Sequence, residues 1–97
     1  MKYTFMSKIW MFGGEGSWYF ADLPKDISNE IKQITSESKN AYGSVKVLVN
    51  IDKTSWQTSL FPDNKSGCYV VPIKKSIRIS ENLKINQPVT IKIKLIR

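Results

Sequence analysis

The sequence predicts a small, mostly β domain with six strands, one amphipathic helix and one short helix. Several segments alternate apolar and polar residues with the two-residue period of a strand. Turns rich in glycine, proline and asparagine separate these segments. One stretch instead repeats its apolar residues at the spacing of a helix. Since 97 residues supply one hydrophobic core and not two, we expect a single domain over residues 1–97.

The first two strands are expected to form a hairpin. Residues 2–12 place large side chains on both faces, as a strand of a small barrel does, and residues 18–21 are too aromatic for a loop. Residues 13–17 between them contain three glycines, which supply the positive φ of a tight reversal. A glycine-rich loop can also cradle phosphate, but the lysine and hydroxyl of a P-loop are missing here.

The amphipathic helix is expected to begin at Pro24, because proline is favoured at the first helical position and acidic residues flank this one. Ile27, Ile31 and Ile34 then fall on one face. We interpret this face as the surface that packs on the sheet, in preference to a groove for a partner. The polar residues 36–40 that follow have no apolar period and predict a loop.

The middle of the chain predicts three more strands. Residues 45–51 alternate most clearly, and the two residues 52–53 are too short a link for a parallel crossover. The next strand, which contains residues 56–62, therefore returns antiparallel. Strong turn formers at 62–67 lead to a strand at 68–71.

The last third of the chain predicts a short helix and a final strand. Residues 74–80 can make about two helical turns, and Asn82 follows where a helix tends to end in a left-handed residue. Residues 89–96 alternate so that Lys92 and Lys94 lie on the exposed face, where lysines discourage pairing of strand edges.

Residues 19–27 show a weak internal similarity to residues 69–77. Each segment contains an aromatic strand, a proline, a lysine and the start of a helix, with a slip of one residue between them. Two such units would pair into a pseudo-symmetric barrel.

The net charge of +7 lies entirely in the last third of the chain. Residues 1–64 carry seven lysines and seven acids, whereas residues 65–97 carry eight cations and the single acid Glu81. Such asymmetry indicates an anionic partner such as nucleic acid. The alternative is that the charge only keeps a small domain soluble.

The first functional hypothesis is therefore a module that binds nucleic acid. Lys74 and Arg78 are one helical turn apart and would project together. Six phosphate contacts would give log affinity a slope of about −5 against log salt concentration. The six candidate contacts are Lys74, Lys75, Arg78, Lys84, Lys92 and Lys94.

The alternative hypothesis is a scaffold that binds a small ligand or another protein domain, as a monomer or a small homo-oligomer. Its cleft would lie at the mouth of the barrel. Large aromatic side chains are also the usual filling of a core, so the same residues have a purely structural interpretation. The candidate cleft residues are Trp10, Trp18, Trp56, Tyr19 and Tyr69.

The residue types argue against catalysis and against a metal or other cofactor. The chain has no histidine, its carboxylates are scattered singly, and its one cysteine cannot form an internal disulfide. We expect Cys68 to lie in an apolar strand beside Tyr69, where a thiol without a histidine is inert. The common zinc sets of cysteine and histidine cannot be assembled. We therefore expect a protein that is not an enzyme.

The sequence also predicts a cytoplasmic location. The first ten residues interrupt their apolar residues with polar ones, unlike a signal peptide. No run approaches the roughly 18 apolar residues that a membrane helix needs.

Three segments resemble, in order and spacing, a small bacterial domain family of unknown function. They are residues 18–24, 56–62 and 69–78, and the most specific is the second, Trp-Gln-Thr-Ser-Leu-Phe-Pro. The resemblance covers nearly the whole chain. It implies a double-split β-barrel, the fold of the AbrB-, MazE- and MraZ-type DNA-binding regulators, and it implies no assigned biochemical function.

The chain departs from that family before its last strand. Asn82 and Asn86 stand where the family has glycine, and Gln87 replaces an acid. Asparagine tolerates the left-handed conformation, so we expect the fold to survive the change. Any pairing of the acid with a barrel cation is lost here.

Overall fold

The computed structural model describes residues 1–13, 18–36 and 43–96, and its elements confirm the predicted class and order. The predicted glycine turn and polar loop fall for the most part on residues 14–17 and 37–40, outside the described residues. The strands and helices are β1 Lys2–Phe12, β2 Trp18–Asp22, α1 Lys25–Thr35, β3 Val45–Ile51, β4 Thr54–Pro62, β5 Tyr69–Pro72, α2 Lys75–Ser80 and β6 Pro88–Leu95.

Two long strands close the sheet into a barrel with the order β1-β2-β5-β4-β3-β6. Residues 2–8 of β1 pair with β6, and residues 9–12 pair with β2. In the same way, residues 54–60 of β4 pair with β3, and residues 61–62 pair with β5. All these pairs are antiparallel. Each described strand therefore has two neighbours in a closed order, and the barrel has a defined inner and outer face.

The position of β6 corrects one sequence-based expectation. This strand lies between β1 and β3 and is hydrogen-bonded to both. Lys92 and Lys94 therefore lie on the outer face of an interior strand, and they have no edge to protect from aggregation.

Alternating apolar side chains fill the barrel. At its centre β3 and β6 pair so that Val49 lies opposite Ile93 and Val47 opposite Leu95. All four are buried, as are Phe5 and Ile9 from β1 and Leu60 from β4. Because a strand sends successive side chains to opposite faces, this inward set fixes which residues point outward.

Helix α1 packs on the barrel through the predicted face. Ile31 is fully buried, and Ile27 and Ile34 pack half-buried against the core. The hydroxyl of Ser28, also buried, accepts a hydrogen bond of 3.0 Å from the Tyr69 backbone N–H. The helix begins at Lys25, one residue later than predicted, so Pro24 lies immediately before it.

The internal similarity corresponds to a repeated order of elements, β1-β2-α1-β3 followed by β4-β5-α2-β6. Where the halves meet, the Leu23 N–H donates to the Tyr69 carbonyl at 2.9 Å, and the Ile73 N–H donates to the Tyr19 carbonyl at 2.8 Å. Leu23 and Ile73 are 50 residues apart, as are Tyr19 and Tyr69. The two hydrogen bonds therefore exchange under an approximate twofold rotation between β2 and β5.

The prediction that Cys68 lies in a strand is wrong. Strand β5 begins at Tyr69, and Cys68 lies half-buried in the bend before it. The backbone N–H of Cys68 donates to the Ser66 hydroxyl at 3.2 Å, which continues the turn by one residue.

The predicted left-handed asparagines are present. Asn82 has φ 52° and Asn86 has φ 70°, and Asp52 in the β3–β4 turn has φ 51°. The N–H of Asn86 donates to the Ile9 carbonyl at 3.0 Å, so this conformation brings the chain back to β1 before β6 begins.

We expect Asn86→Ala to lower the free energy of unfolding by about 1 kcal/mol, because a left-handed conformation costs an ordinary L-residue roughly that amount. Urea unfolding monitored by tryptophan fluorescence would measure the change. Asn86→Gly keeps the conformation accessible and should stay near the wild-type stability. Gln87→Ala, one residue further along the same exposed loop, serves as the control. Equal stability of Asn86→Ala and Gln87→Ala would contradict the prediction.

Candidate binding surfaces

The outer face of β1, β6 and β3 carries five exposed lysines: Lys8, opposite Pro88, and a group of four, Lys2, Lys46, Lys92 and Lys94, which we call the lysine face. Lys2 lies directly opposite Lys94 in the β1–β6 pair. Lys92 is two residues away on the same face of β6. The carbonyl of Lys46 accepts a hydrogen bond of 3.0 Å from the N–H of Ile96, two residues beyond Lys94, so Lys46 extends the group across β3.

No acid lies opposite the lysines of this face in its strand pairs, although Asp52 and Glu81 line a neighbouring depression together with Lys92. The positions opposite Lys92 are Thr4 on β1 and Asn50 on β3, and Leu48 on β3 lies opposite Lys94. In the part of the chain that the structure describes, no carboxylate lies within 4.0 Å of any of the four lysines. Like charges directly opposite each other destabilise a strand pair. An anion bound here would remove that repulsion.

A depression of about 300 Å³ lies on this face. Its lining includes Lys2, Lys92 and Lys94, together with the uncharged Thr4, Leu48 and Asn50, and Tyr3. The residues that line the depression are therefore cationic or uncharged.

The other four predicted nucleic-acid contacts lie around α2. Lys74, Lys75 and Lys84 are exposed. Arg78 is half-buried, and its guanidinium carbon lies 3.4 Å from the centre of the Tyr19 ring, so it stacks on that ring. Its Nε is buried without a hydrogen-bond partner. The helical spacing therefore does not make Arg78 project alongside Lys74.

A second surface lies on the outer face of β1, β2 and β5 and at the end of β4. It is a groove of about 440 Å³ that we call the aromatic groove. Trp18 is 67 % exposed and Phe12 60 % exposed, values unusual for such large apolar side chains. The groove is lined by Trp10, Phe12, Trp18, Phe20, Phe61, Pro62, Asp63, Val70 and Pro72.

A carboxylate holds the first ring of the groove in place. The indole N–H of Trp10 donates a hydrogen bond of 2.7 Å to Asp22 Oδ1. The Trp10 ring lies 5.2 Å from that of Phe20, and the Phe20 ring stacks on Trp18 at 6.4 Å with 14° between the planes. The three rings therefore form an ordered row.

The structure brings together two of the five predicted cleft residues. Trp10 and Trp18 line the groove, which lies on the outer wall and not at a barrel mouth. Tyr69 is 1 % exposed in the core, while Tyr19 and Trp56 are half-buried and pack against it. The indole nitrogen of Trp56 is buried without a hydrogen-bond partner.

Sequence reasoning missed Phe12, Phe20 and Phe61. The sequence could have identified two of them. The two-residue period of a strand puts Phe20 on the same face of β2 as Trp18. The hairpin then places Phe12 opposite Trp18 and Trp10 opposite Phe20. Phe61 carried no such signal, because it enters the groove only through its pairing with Val70 of β5.

Comparison with protein families decides what kind of domain this is. The model of a domain of unknown function, DUF1905, matches residues 5–93. The chain belongs to the DUF1905 family. The matched range contains the whole aromatic groove, whereas Lys2 and Lys94 of the lysine face lie just outside it. Comparison with the curated proteins finds no significant match. Membership of DUF1905 thus supplies a family without an assigned activity.

Two further kinds of feature are absent from the described residues of this DUF1905 domain. Within residues 1–13, 18–36 and 43–96, no three acidic or cysteine side chains lie close enough together to hold a metal ion. Neither described helix has the length and apolar character to cross a membrane.

Tyr3 connects the lysine face to the interior. Its hydroxyl is buried and has no hydrogen-bond partner. Burial raises the pKa of the Tyr3 phenol above its ordinary value, and the nearby Glu30 carboxylate raises this pKa further. Both effects favour the protonated phenol in the folded state.

We expect Tyr3→Phe to weaken the loss of stability at alkaline pH. In the wild type the unfolded phenol ionises above about pH 10 while the folded one resists, so Tyr3 destabilises the fold as the pH rises through that range. At neutral pH the variant should be as stable as the wild type or more stable by up to about 1 kcal/mol, because an unpaired buried hydroxyl is removed.

Urea unfolding at neutral and alkaline pH would measure both effects. Tyr19→Phe removes a phenol elsewhere and leaves Tyr3 in place, so it should keep the wild-type decline. An identical alkaline decline in Tyr3→Phe and the wild type would show that the Tyr3 phenol plays no part.

Proposed function

We propose that this DUF1905 domain binds a polyanion, with nucleic acid as the partner, through the lysine face of Lys2, Lys46, Lys92 and Lys94. The observation that carries the proposal is the pair formed by Lys2 and Lys94 directly opposite each other, without a carboxylate to neutralise them among the described residues.

The arrangement of the face favours contacts with phosphate groups. Lysine binds phosphate as a point charge on a flexible stem, so four ammonium groups on neighbouring strands can follow a backbone of variable shape. Three adjacent strands span about 10 Å across their hydrogen-bonding direction. This width suits one strand of nucleic acid or one edge of a duplex.

The same face favours binding without base recognition. Among the described residues it presents no exposed aromatic ring for stacking, and the side chains between its lysines are threonine, leucine and asparagine. Contacts to phosphate position a protein and carry no sequence information. We therefore expect similar affinities for unrelated sequences.

The exposed cations around α2 offer a way to measure the extent of the interface. If only the lysine face binds, four phosphate contacts give a slope of about −3.6 for log affinity against log salt on duplex DNA. If Lys74, Lys75 and Lys84 join, seven contacts give a slope of about −6.3. The proposal predicts the smaller value.

The test is a fluorescence anisotropy titration of labelled random-sequence DNA at increasing salt concentration. Lys92→Gln/Lys94→Gln should lower the affinity and make the slope shallower by about 1.8, the share of two contacts. Lys53→Gln/Lys65→Gln removes the same charge from two exposed turns and is the matched control. Its slope should stay within about 0.5 of the wild type.

Two outcomes would overturn the proposal. One is the absence of salt-sensitive binding to DNA and RNA at low ionic strength. The other is an equal loss in both double variants, which would show that affinity follows net charge and not the lysine face. The second candidate function, a scaffold for protein interaction, is favoured by the aromatic groove on the opposite side of the barrel.

A further inference from the structure

We propose that the aromatic groove binds a proline-rich segment of a partner protein, in polyproline II conformation and with a basic residue at one end. This site shares only β1 with the lysine face and does not depend on nucleic-acid binding.

The rings are exposed and already ordered. Trp18, Phe12 and Phe61 are 67 %, 60 % and 43 % exposed, and they lie around one groove and not at scattered positions. A contiguous apolar patch of this kind marks an interaction surface. Because the Asp22 carboxylate holds Trp10, and Phe20 lies between Trp10 and Trp18, little side-chain freedom remains to be lost on binding.

The barrel excludes two common ways of binding a peptide. Addition of a strand needs a free strand edge, and the groove strands β2 and β5 each have an antiparallel neighbour on both sides. Recognition of a phosphorylated or acidic motif needs arginine or lysine, and the lining of the groove has neither.

The span of the groove suits a short extended chain. The groove reaches from Trp18 on β2 across β5 to Phe61 on β4, two strand spacings or about 10 Å. One turn of polyproline II, three residues at about 3.1 Å each, covers that distance.

The polar groups of the groove complement such a segment. Polyproline II leaves its carbonyls without internal hydrogen bonds, and the exposed Trp18 indole N–H has no partner among the described residues. Asp63 lines the end of the groove near Phe61, where the Lys65 N–H at 3.2 Å and the Ser66 hydroxyl at 3.1 Å hold its carboxylate. This carboxylate would attract a lysine or arginine that follows the prolines.

The test uses the whole protein and a labelled synthetic peptide with a run of prolines followed by one arginine. Anisotropy should show saturable binding, and Trp18→Ala should weaken it at least about tenfold. Ile79→Ala is the matched control, because Ile79 is also 67 % exposed but lies on α2 outside the groove. This control should keep wild-type affinity, and urea unfolding would confirm that both variants fold.

Asp63→Asn tests the charge of the rim. The variant should weaken the arginine peptide by about threefold to tenfold and leave an all-proline peptide nearly unchanged. Lys92→Gln/Lys94→Gln should bind the peptide like the wild type, which separates this proposal from the lysine face.

Other occupants of the groove give distinct results that would overturn the proposal. Equal binding of a peptide with glycine and serine in place of the prolines would show that charge alone acts. Tighter binding of a basic amphipathic helix would assign the groove to helices, and displacement of the peptide by tetramethylammonium at low concentration would assign it to small cations. Self-association of the free protein that Trp18→Ala abolishes would assign it to a second copy. Absence of peptide binding at millimolar concentration would also reject it.

Discussion

The constraint on which the structure depends is the change of partner within β1 and β4. Each of these strands pairs first with one neighbour and then with another, and this change is what allows six strands to close into a barrel. Closure fixes an inside, and alternation then dictates the outside. Because β1 carries Lys2 at one end of its outer face and Phe12 at the other, it contributes to both surfaces while keeping them apart.

Local pattern was sufficient to predict the elements and insufficient to predict the surfaces. The strands at 2–12 and 45–51 were predicted with the bounds that the structure has, because alternation is a property of neighbouring residues. The lysine face instead requires Lys2 to meet Lys94, 92 positions away. The charges of residues 1–64 sum to zero, so the charge count hid Lys2 and Lys46. In space, neither lysine has a carboxylate within 4.0 Å among the described residues.

Local pattern was also insufficient to predict which aromatic residues share a surface. The predicted cleft included both Trp18 and Tyr19, which are consecutive residues of one strand and so point to opposite faces. The motif at 56–62 divides similarly, with Trp56 and Leu60 on the core side and Phe61 in the groove. Arg78 had the right helical spacing for a phosphate contact, but the Tyr19 ring lies 3.4 Å from its guanidinium carbon. Helical spacing carries no information on the strand against which the helix packs.

The placement of the two surfaces bears on how one small barrel could serve two partners. In the order β1-β2-β5-β4-β3-β6, the groove strands β2 and β5 lie across the barrel from β3 and β6 of the lysine face. At physiological salt the Debye length is about 8 Å, less than half the shortest extent of the molecule, 20 Å. The four lysines are therefore largely screened from the groove, which Asp63 lines and where Asp22 holds Trp10. The proposed binding of a polyanion on one side and the proposed binding of a basic peptide on the other are in this way compatible in a chain of net charge +7.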